Sequence, residues 1–254
     1  MKDGATIIAM VGKGGVGKTS LSAIIVKLLC EKYPDKKILA IDADPAVGLS
    51  TALNVDVTST VDDIRKEFVV QAEGGDTRAA IEMLGEAKYK IFDALIEGDD
   101  FSFLAIGRPE GAGCYCKINT YLKDIITLIA DNFDYVVIDG EAGIEQVNRR
   151  VMDKVTHLLF VSDASKKGLQ VVKTIKDVAD EMFEYEGCGV IVNRIPDIAL
   201  KEHLDTHGIP LLAVIENDAE LARRDIMGEN VQDTPDDALI VEGAREALTK
   251  LGIL

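Results

Sequence analysis

Residues 6–20 read "TIIAMVGKGGVGKTS". An apolar run suited to a buried strand passes into a loop with glycines at 12, 14, 15 and 17, and the loop passes into a helical pattern. That pattern places Leu21, Ile24, Ile25, Leu28 and Leu29 at the i, i+3, i+4, i+7, i+8 spacing of an amphipathic helix. The loop satisfies G-x-x-x-x-G-K-[ST] in strand–loop–helix context. Glycines let the backbone curl so that successive N–H groups face one anion, and the helix N-terminus adds its positive end. Gly12, Gly14, Gly15, Val16, Gly17, Lys18, Thr19 and Ser20 are therefore the expected phosphate-binding residues. Lys18 should bridge the β- and γ-phosphates of a nucleoside triphosphate, and the Thr19 hydroxyl should hold Mg²⁺.

Working outward, short apolar runs recur: "KILAID" from Lys37, "FSFLAI" from Phe101, "YVVID" from Tyr135, "HLLFVS" from His157, "GVIVN" from Gly189 and "PLLAVI" from Pro210. None alternates polar with apolar residues, as expected for strands covered on both faces. Helical patterns lie between most of them. This alternation predicts an α/β fold, a doubly wound and mostly parallel sheet with helices on both faces. Residues 54–89 break the rhythm with a long, charged, helical insertion. With 254 residues and 47% hydrophobic content, and with no repeat or linker, the chain reads as a single domain over 1–254.

The formal net charge is −16. Such a field repels phosphate backbones and anionic lipid, so no nucleic-acid partner and no membrane partner are expected. No apolar run approaches the ~18–20 residues of a membrane span, and no cleavage-site pattern precedes the glycine loop. The expected location is cytoplasmic.

Two strands end in acids. "AIDADPAVGLS" puts Asp42 and Asp44 at the carboxyl end of a parallel strand, where open α/β sheets keep their chemistry. "YVVIDGEAGIE" places Asp139 after four apolar residues, positioned to accept from a Mg²⁺-bound water, with residues 140–145 following as a loop. A second lysine, Lys13, sits inside the glycine loop. With it the loop resembles the deviant Walker A motif "KGGVGKT" of the ATPase family that contains the septum-site and plasmid-partition ATPases and the nitrogenase iron protein, the SIMIBI class of P-loop NTPases. The resemblance implies ATP as substrate and a homodimer in which Lys13 reaches the partner's nucleotide. It further implies that Asp44 activates water with Asp42 in support, and that Asn193, ending "GVIVN", bonds the adenine.

The turn "GRPEGAGCYCKIN" at 107–119 carries Cys114 and Cys116. Cys30 and Cys188 read as small core residues. Thiolates at i and i+2 both reach one soft metal ion but supply only half of a tetrahedral site. His203 and His207 in "KEHLDTHG" read as part of an acidic surface helix rather than as further ligands. The economical completion is symmetry, with Cys114 and Cys116 of two subunits sharing one metal on a dimer axis. A tetrathiolate zinc contributes roughly 10–16 kcal/mol, against an association cost of roughly 4–15 kcal/mol. A strained disulfide is the competing reading.

Three function classes share this scaffold. A cluster-bearing reductase needs a cysteine in the loop after Asp139, and "DGEAGIEQVN" has none. Spatial organisation on membrane or DNA uses a basic or amphipathic end, and "IVEGAREALTKLGIL" carries few basic residues. The third class is a metallochaperone. The joint presence of the deviant loop and the C-x-C turn resembles the CooC-type nickel-insertion ATPases that mature carbon monoxide dehydrogenase and, in relatives, acetyl-CoA synthase. That resemblance implies Ni²⁺ or Zn²⁺ on Cys114 and Cys116, ATP hydrolysis driving metal delivery, and one of those nickel enzymes as client.

Overall fold

In the computed structural model the chain is described over residues 4–44, 48–73, 77–107, 116–140, 144, 147, 151 and 154–254, without the side chains of 71–73, 77–85, 116–119 and 225. The strands are β1 (Thr6–Gly12), β2 (Ile38–Asp42), β3 (Ile96–Glu97), β4 (Ser102–Ala105), β5 (Tyr135–Asp139), β6 (His157–Ser162), β7 (Gly187–Ile195) and β8 (Leu211–Glu216). They form one sheet in the order β3-β4-β2-β5-β1-β6-β7-β8. Every pairing is parallel except β3 with β4. The seven strands read from the sequence are all present. The two-residue antiparallel edge strand β3 is an addition that no apolar run announces.

The sheet's two faces are sorted by residue parity. Ile7, Ala9 and Val11 of β1 face the core shared with Leu39, Ile41, Val136, Ile138, Leu158 and Phe160. That core is covered by α3 (Val61–Glu73), α4 (Thr77–Ala94), α5 (Cys116–Ala130) and α6 (Lys166–Met182). Ile8 and Met10 face the opposite core, which α1 (Lys18–Lys32), α2 (Gly48–Ala52) and α8 (Leu239–Lys250) close. Because side chains alternate along a strand, runs without polar alternation must be buried on both faces. Among the described residues the remaining α-helix is α7 (Ala219–Met227). The insertion read at 54–89 contains α3 and most of α4, which pack on each other and on α5.

Helix α1 departs from its expected pattern. The stripe Leu21, Ile24, Ile25, Leu28, Leu29 is buried, but so are Ser22, Ala23, Val26 and Lys27. The helix is therefore covered nearly all round rather than on one face, because α2 and α8 pack against it as well as the sheet. Lys27 is buried with its ammonium paired to Glu31 and, at 3.0 Å, to Asp236. The Tyr33 hydroxyl beyond the helix end donates to the Ile253 carbonyl at 2.6 Å.

Phe160, fully buried in β6, and Leu128, 57% exposed on α5, give a test of where stability resides. Phe160→Ala should lower the unfolding free energy in urea titrations by about 3–5 kcal/mol. Leu128→Ala should leave it within about 0.5 kcal/mol.

Candidate functional site

The parallel register brings four strand ends together. Asp42 and Asp139 are direct partners across β2 and β5, Met10 pairs with Asp139, and Gly12 pairs with Val161. The glycine loop therefore springs from the middle of the sheet with both acids beside it, at the crevice where such sheets bind ligands. The loop is tightly seated. Gly12 has φ 146°, and a Cβ there would lie 2.1 Å from the Val161 carbonyl oxygen.

Helix α1 begins at Lys18, as its sequence predicts. Lys18 is buried and its ammonium lies 3.3 Å from the Lys13 carbonyl oxygen. One residue on, the Thr19 hydroxyl donates to Asp139 Oδ2 at 2.7 Å, and the Ser22 hydroxyl donates to Oδ1 at 3.0 Å. Both oxygens of a fully buried carboxylate are thus engaged by the first two turns of α1. Asp42, equally buried, accepts from the backbone N–H of Leu49 at 2.8 Å and of Asp44 at 3.2 Å. It ties the segment after β2 back to the strand end. A cleft of about 480 Å³ opens over the loop, lined by Gly14, Gly15, Gly17, Lys18, Thr19, Ser20 and Asp44 among others. A second of about 290 Å³ adjoins it, sharing Ser20, Arg194 and Leu221 and adding Asn193 and the end of β8.

Burial pushes the Asp42 carboxyl up to about 7, with repulsion from Asp139 adding to it and the backbone amides opposing it. Asp139 rises to about 6 for the same first cause, held down by the Thr19 and Ser22 hydroxyls and the Lys18 ammonium and raised by Asp44. Burial thus disfavours the ionised form of both carboxyls, and a cation placed beside them would favour it.

Lys13 lies apart from this cleft. Its ammonium sits 2.8 Å from Asp163 Oδ2, just beyond β6. Partial burial works against the charge on Asp163, yet Lys13 and the Ser165 hydroxyl and N–H hold its carboxyl below the usual range. Ser165 also caps α6, accepting from Gly168 N. Asn193 is buried at the end of β7, where its Nδ2 donates to the Val16 carbonyl at 2.8 Å. The structure so gathers the glycine loop, Asp42, Asp44, Asp139 and Asn193 at the carboxyl ends of the central strands, with the Lys13 side chain turned to Asp163.

Cys114 lies outside the described residues, as do 141–143 and 145 of the loop after Asp139. Cys116 opens α5, with its side chain outside the description. Cys30 and Cys188 are free and half-buried. The Cys30 thiol is pushed up to about 12 by burial and the nearby Asp100. His203 and His207 do not share a helix. His203 ends the 3-10 segment Ile198–His203, and His207 sits at φ 51° in a turn closed by Asp205, which accepts from the His207 N–H at 2.9 Å. The Asp-x-His-Gly spacing builds an Asx turn where a helix was expected. Among the described residues no group of three or more His, Cys, Asp or Glu is placed to hold a metal ion.

Three contributors escaped the sequence reading. Ser22 stands three residues after Thr19 on one helical face, a spacing that marks it as a second donor to Asp139. Asp163 follows the apolar run of β6 as Asp42 ends that of β2, a signal of the same form. Arg194 carries no such signal.

A carboxyl whose folded pKa lies above its unfolded value of about 4 holds its proton more tightly in the folded chain, so stability falls as pH rises through the interval between them. For Asp42 that interval runs from about 4 to about 7. In urea titrations of the nucleotide-free protein, Asp42→Asn should reduce the loss of stability between pH 5 and pH 8 by on the order of 1–3 kcal/mol. An identical loss in both proteins would mean that Asp42 is ionised throughout.

Residues 7–231 match the family model described as the CobQ/CobB/MinD/ParA nucleotide binding domain. An uncharacterized ATP-binding protein of Methanocaldococcus jannaschii is 35% identical over 250 residues, 96% of this chain and 98% of its own. The carbon monoxide dehydrogenase accessory protein CooC of Rhodospirillum rubrum is 26% identical over 211 residues, 74% of this chain and 78% of its own. The fold is also similar to that of the septum site-determining protein MinD of Pyrococcus horikoshii, solved with Mg-ADP, at a TM-score of 0.66 and 21% identity over 97% of this chain and 96% of that one. With a glycine loop between β1 and α1 and a buried aspartate bonded to the start of that helix, the chain belongs to the CobQ/CobB/MinD/ParA nucleotide-binding domain family of P-loop ATPases.

Proposed function

We propose that the chain hydrolyses ATP as a homodimer and uses the cycle to deliver a soft metal ion, nickel or zinc, to a client enzyme of the carbon monoxide dehydrogenase or acetyl-CoA synthase kind. The observation that carries the nucleotide half is the triad of Lys18, Thr19 and Asp139, in which a hydroxyl and a buried carboxylate meet at 2.7 Å beneath the glycine loop. A hydroxyl and carboxylates are the hard oxygen donors that Mg²⁺ takes, and Thr19 and Asp139 would hold it, Asp139 through water. The ion would neutralise charge on the β- and γ-phosphates. Lys18 is buried at the helix start with its ammonium 3.3 Å from the Lys13 carbonyl, and it would turn that ammonium to a phosphate oxygen. Asp44 lines the same cleft and lies close enough to raise Asp139, which suits it to orient the attacking water. The adjoining cavity beside Asn193 suits the adenine.

The metal half rests on the pair Cys114 and Cys116 and on where the chain leads into them. Ile106 N donates to the Asp42 carbonyl at 2.8 Å as β4 ends, so the segment carrying both cysteines departs one strand from the acids of the nucleotide site. A change in the segment that Asp42 anchors has a short path to that segment. The similarity to CooC supports the same reading. Its metal is cargo, bound through thiolates that suit both nickel and zinc.

A second reading, spatial organisation of a MinD or ParA type, is favoured by the likeness to MinD along nearly the whole chain. A net charge of −16 weighs against anionic surfaces as the binding partner. ATP-dependent sedimentation with anionic vesicles and no thiolate-bound metal would select it over metal delivery.

Anaerobically purified protein should carry about one nickel or zinc per two chains, colourless in the zinc form and lost with the metal-held dimer on chelation. Brown protein with about four irons per dimer would instead indicate a reductase. Lys18→Ala should abolish ATP hydrolysis while leaving the metal content unchanged, whereas Cys114→Ala should abolish metal binding and spare hydrolysis. Loss of metal in both variants alike would refute the independence of the two sites.

A further inference from the structure

Strand β7 ends irregularly. Between Val192, paired with Val214, and Ile195, paired with Glu216, β7 carries one residue more than β8. That count is a β-bulge, rare between parallel strands and typical of places where a side chain is re-aimed. Within it Arg194 adopts φ 61°, a conformation unfavourable for any residue with a Cβ and characteristic of functional sites.

Along a regular strand Asn193 and Arg194 would point to opposite faces of the sheet. The bulge instead turns both onto one object, the phosphate loop. Asn193 Nδ2 donates to the Val16 carbonyl at 2.8 Å, and Arg194 Nη1 donates to the Gly15 carbonyl at 3.0 Å. The pair is locked to itself, since the Arg194 N–H donates to Asn193 Oδ1 at 3.0 Å. Gly17 is a second witness. A Cβ there would lie 2.6 Å from Asn193 Nδ2, so the approach of the loop to this amide depends on a glycine at 17.

In a trans peptide the C=O and the following N–H point in opposite directions. Carbonyls 15 and 16 drawn toward β7 therefore turn the N–H groups of Val16 and Gly17 away from it. We infer that the Asn193–Arg194 bulge is a positioning device that sets these two peptide planes of the phosphate loop before a nucleoside di- or triphosphate arrives. The inference rests on the nucleotide reading given above and extends it to residues on the far side of the sheet's centre. Arg194 also borders both cavities, so the part of a nucleotide between base and phosphates would pass beside it.

Arg194→Gly tests this directly, because glycine accepts the left-handed conformation and only the side chain is lost. Two measurements suffice: hydrogen exchange of peptides spanning 12–18 in the nucleotide-free protein, and calorimetric titration with Mg-ATP and Mg-ADP. Exchange in the loop should speed up, and both affinities should fall by about 3- to 10-fold, the equivalent of one lost hydrogen bond. Arg194→Lys should recover part of both. Thermal stability should not fall, which separates positioning from general damage. Unchanged exchange would overturn the inference, as would faster exchange with unchanged affinity. If the parent protein bound neither nucleotide, the nucleotide reading would fail, while exchange would still decide whether the bulge holds the loop.

Discussion

The Asp139 carboxylate is the constraint on which the rest of the site depends. It is fully buried at the end of β5 and accepts from two hydroxyls of the first two turns of α1. An unpaired buried charge is strongly destabilising. Thr19 and Ser22 must therefore stay close to β5, which fixes where α1 starts, and the helix start fixes where the glycine loop ends. Gly12, wedged against the Val161 carbonyl, fixes the other end. Between those anchors only a short loop remains, and its curvature is set from β7 by the contacts of Asn193 and Arg194. The site is thus held by β1, β5 and β7 together, with α1 as the strut.

Asp42 extends the same logic to the chain that follows β2. As Asp139's neighbour in the sheet it shares its burial, and its side chain holds the N–H groups of Asp44 and Leu49. Its carbonyl also receives Ile106 N from the end of β4. One residue therefore adjoins the buried Asp139, the start of the segment bearing Asp44 and the strand end that leads toward the cysteine pair. Whatever alters the charge beneath the loop alters the partners of Asp42.

Much of this was legible in the sequence because the determining signals are local. Seven apolar strands, the start of α1 at Lys18 and the strand-end acids follow from runs and spacings that act within a few residues. The misreadings came from tertiary effects. Helix α1 shows an amphipathic stripe, yet α2 and α8 also pack on it, and neither neighbour is encoded in its own periodicity. His203 and His207 have helical spacing, but an Asx turn at Asp205 competes successfully with a helix. Arg194 owes its role to a bulge set by the pairing of β7 with β8, so no motif around it signals that role. The β3 edge strand is too short for any pattern to reveal.

The bond between Lys13 and Asp163 differs in kind from those around Asp139. Its partners are 40% and 34% exposed, and such half-solvated pairs contribute only about 0–1 kcal/mol. At that strength the lysine is detached in a sizeable fraction of molecules at any moment, roughly one in six even at the upper figure. Departure of this side chain therefore needs no further input of energy. Thermal motion supplies it, and a nearby competing anion has only to capture an ammonium that is already intermittently released.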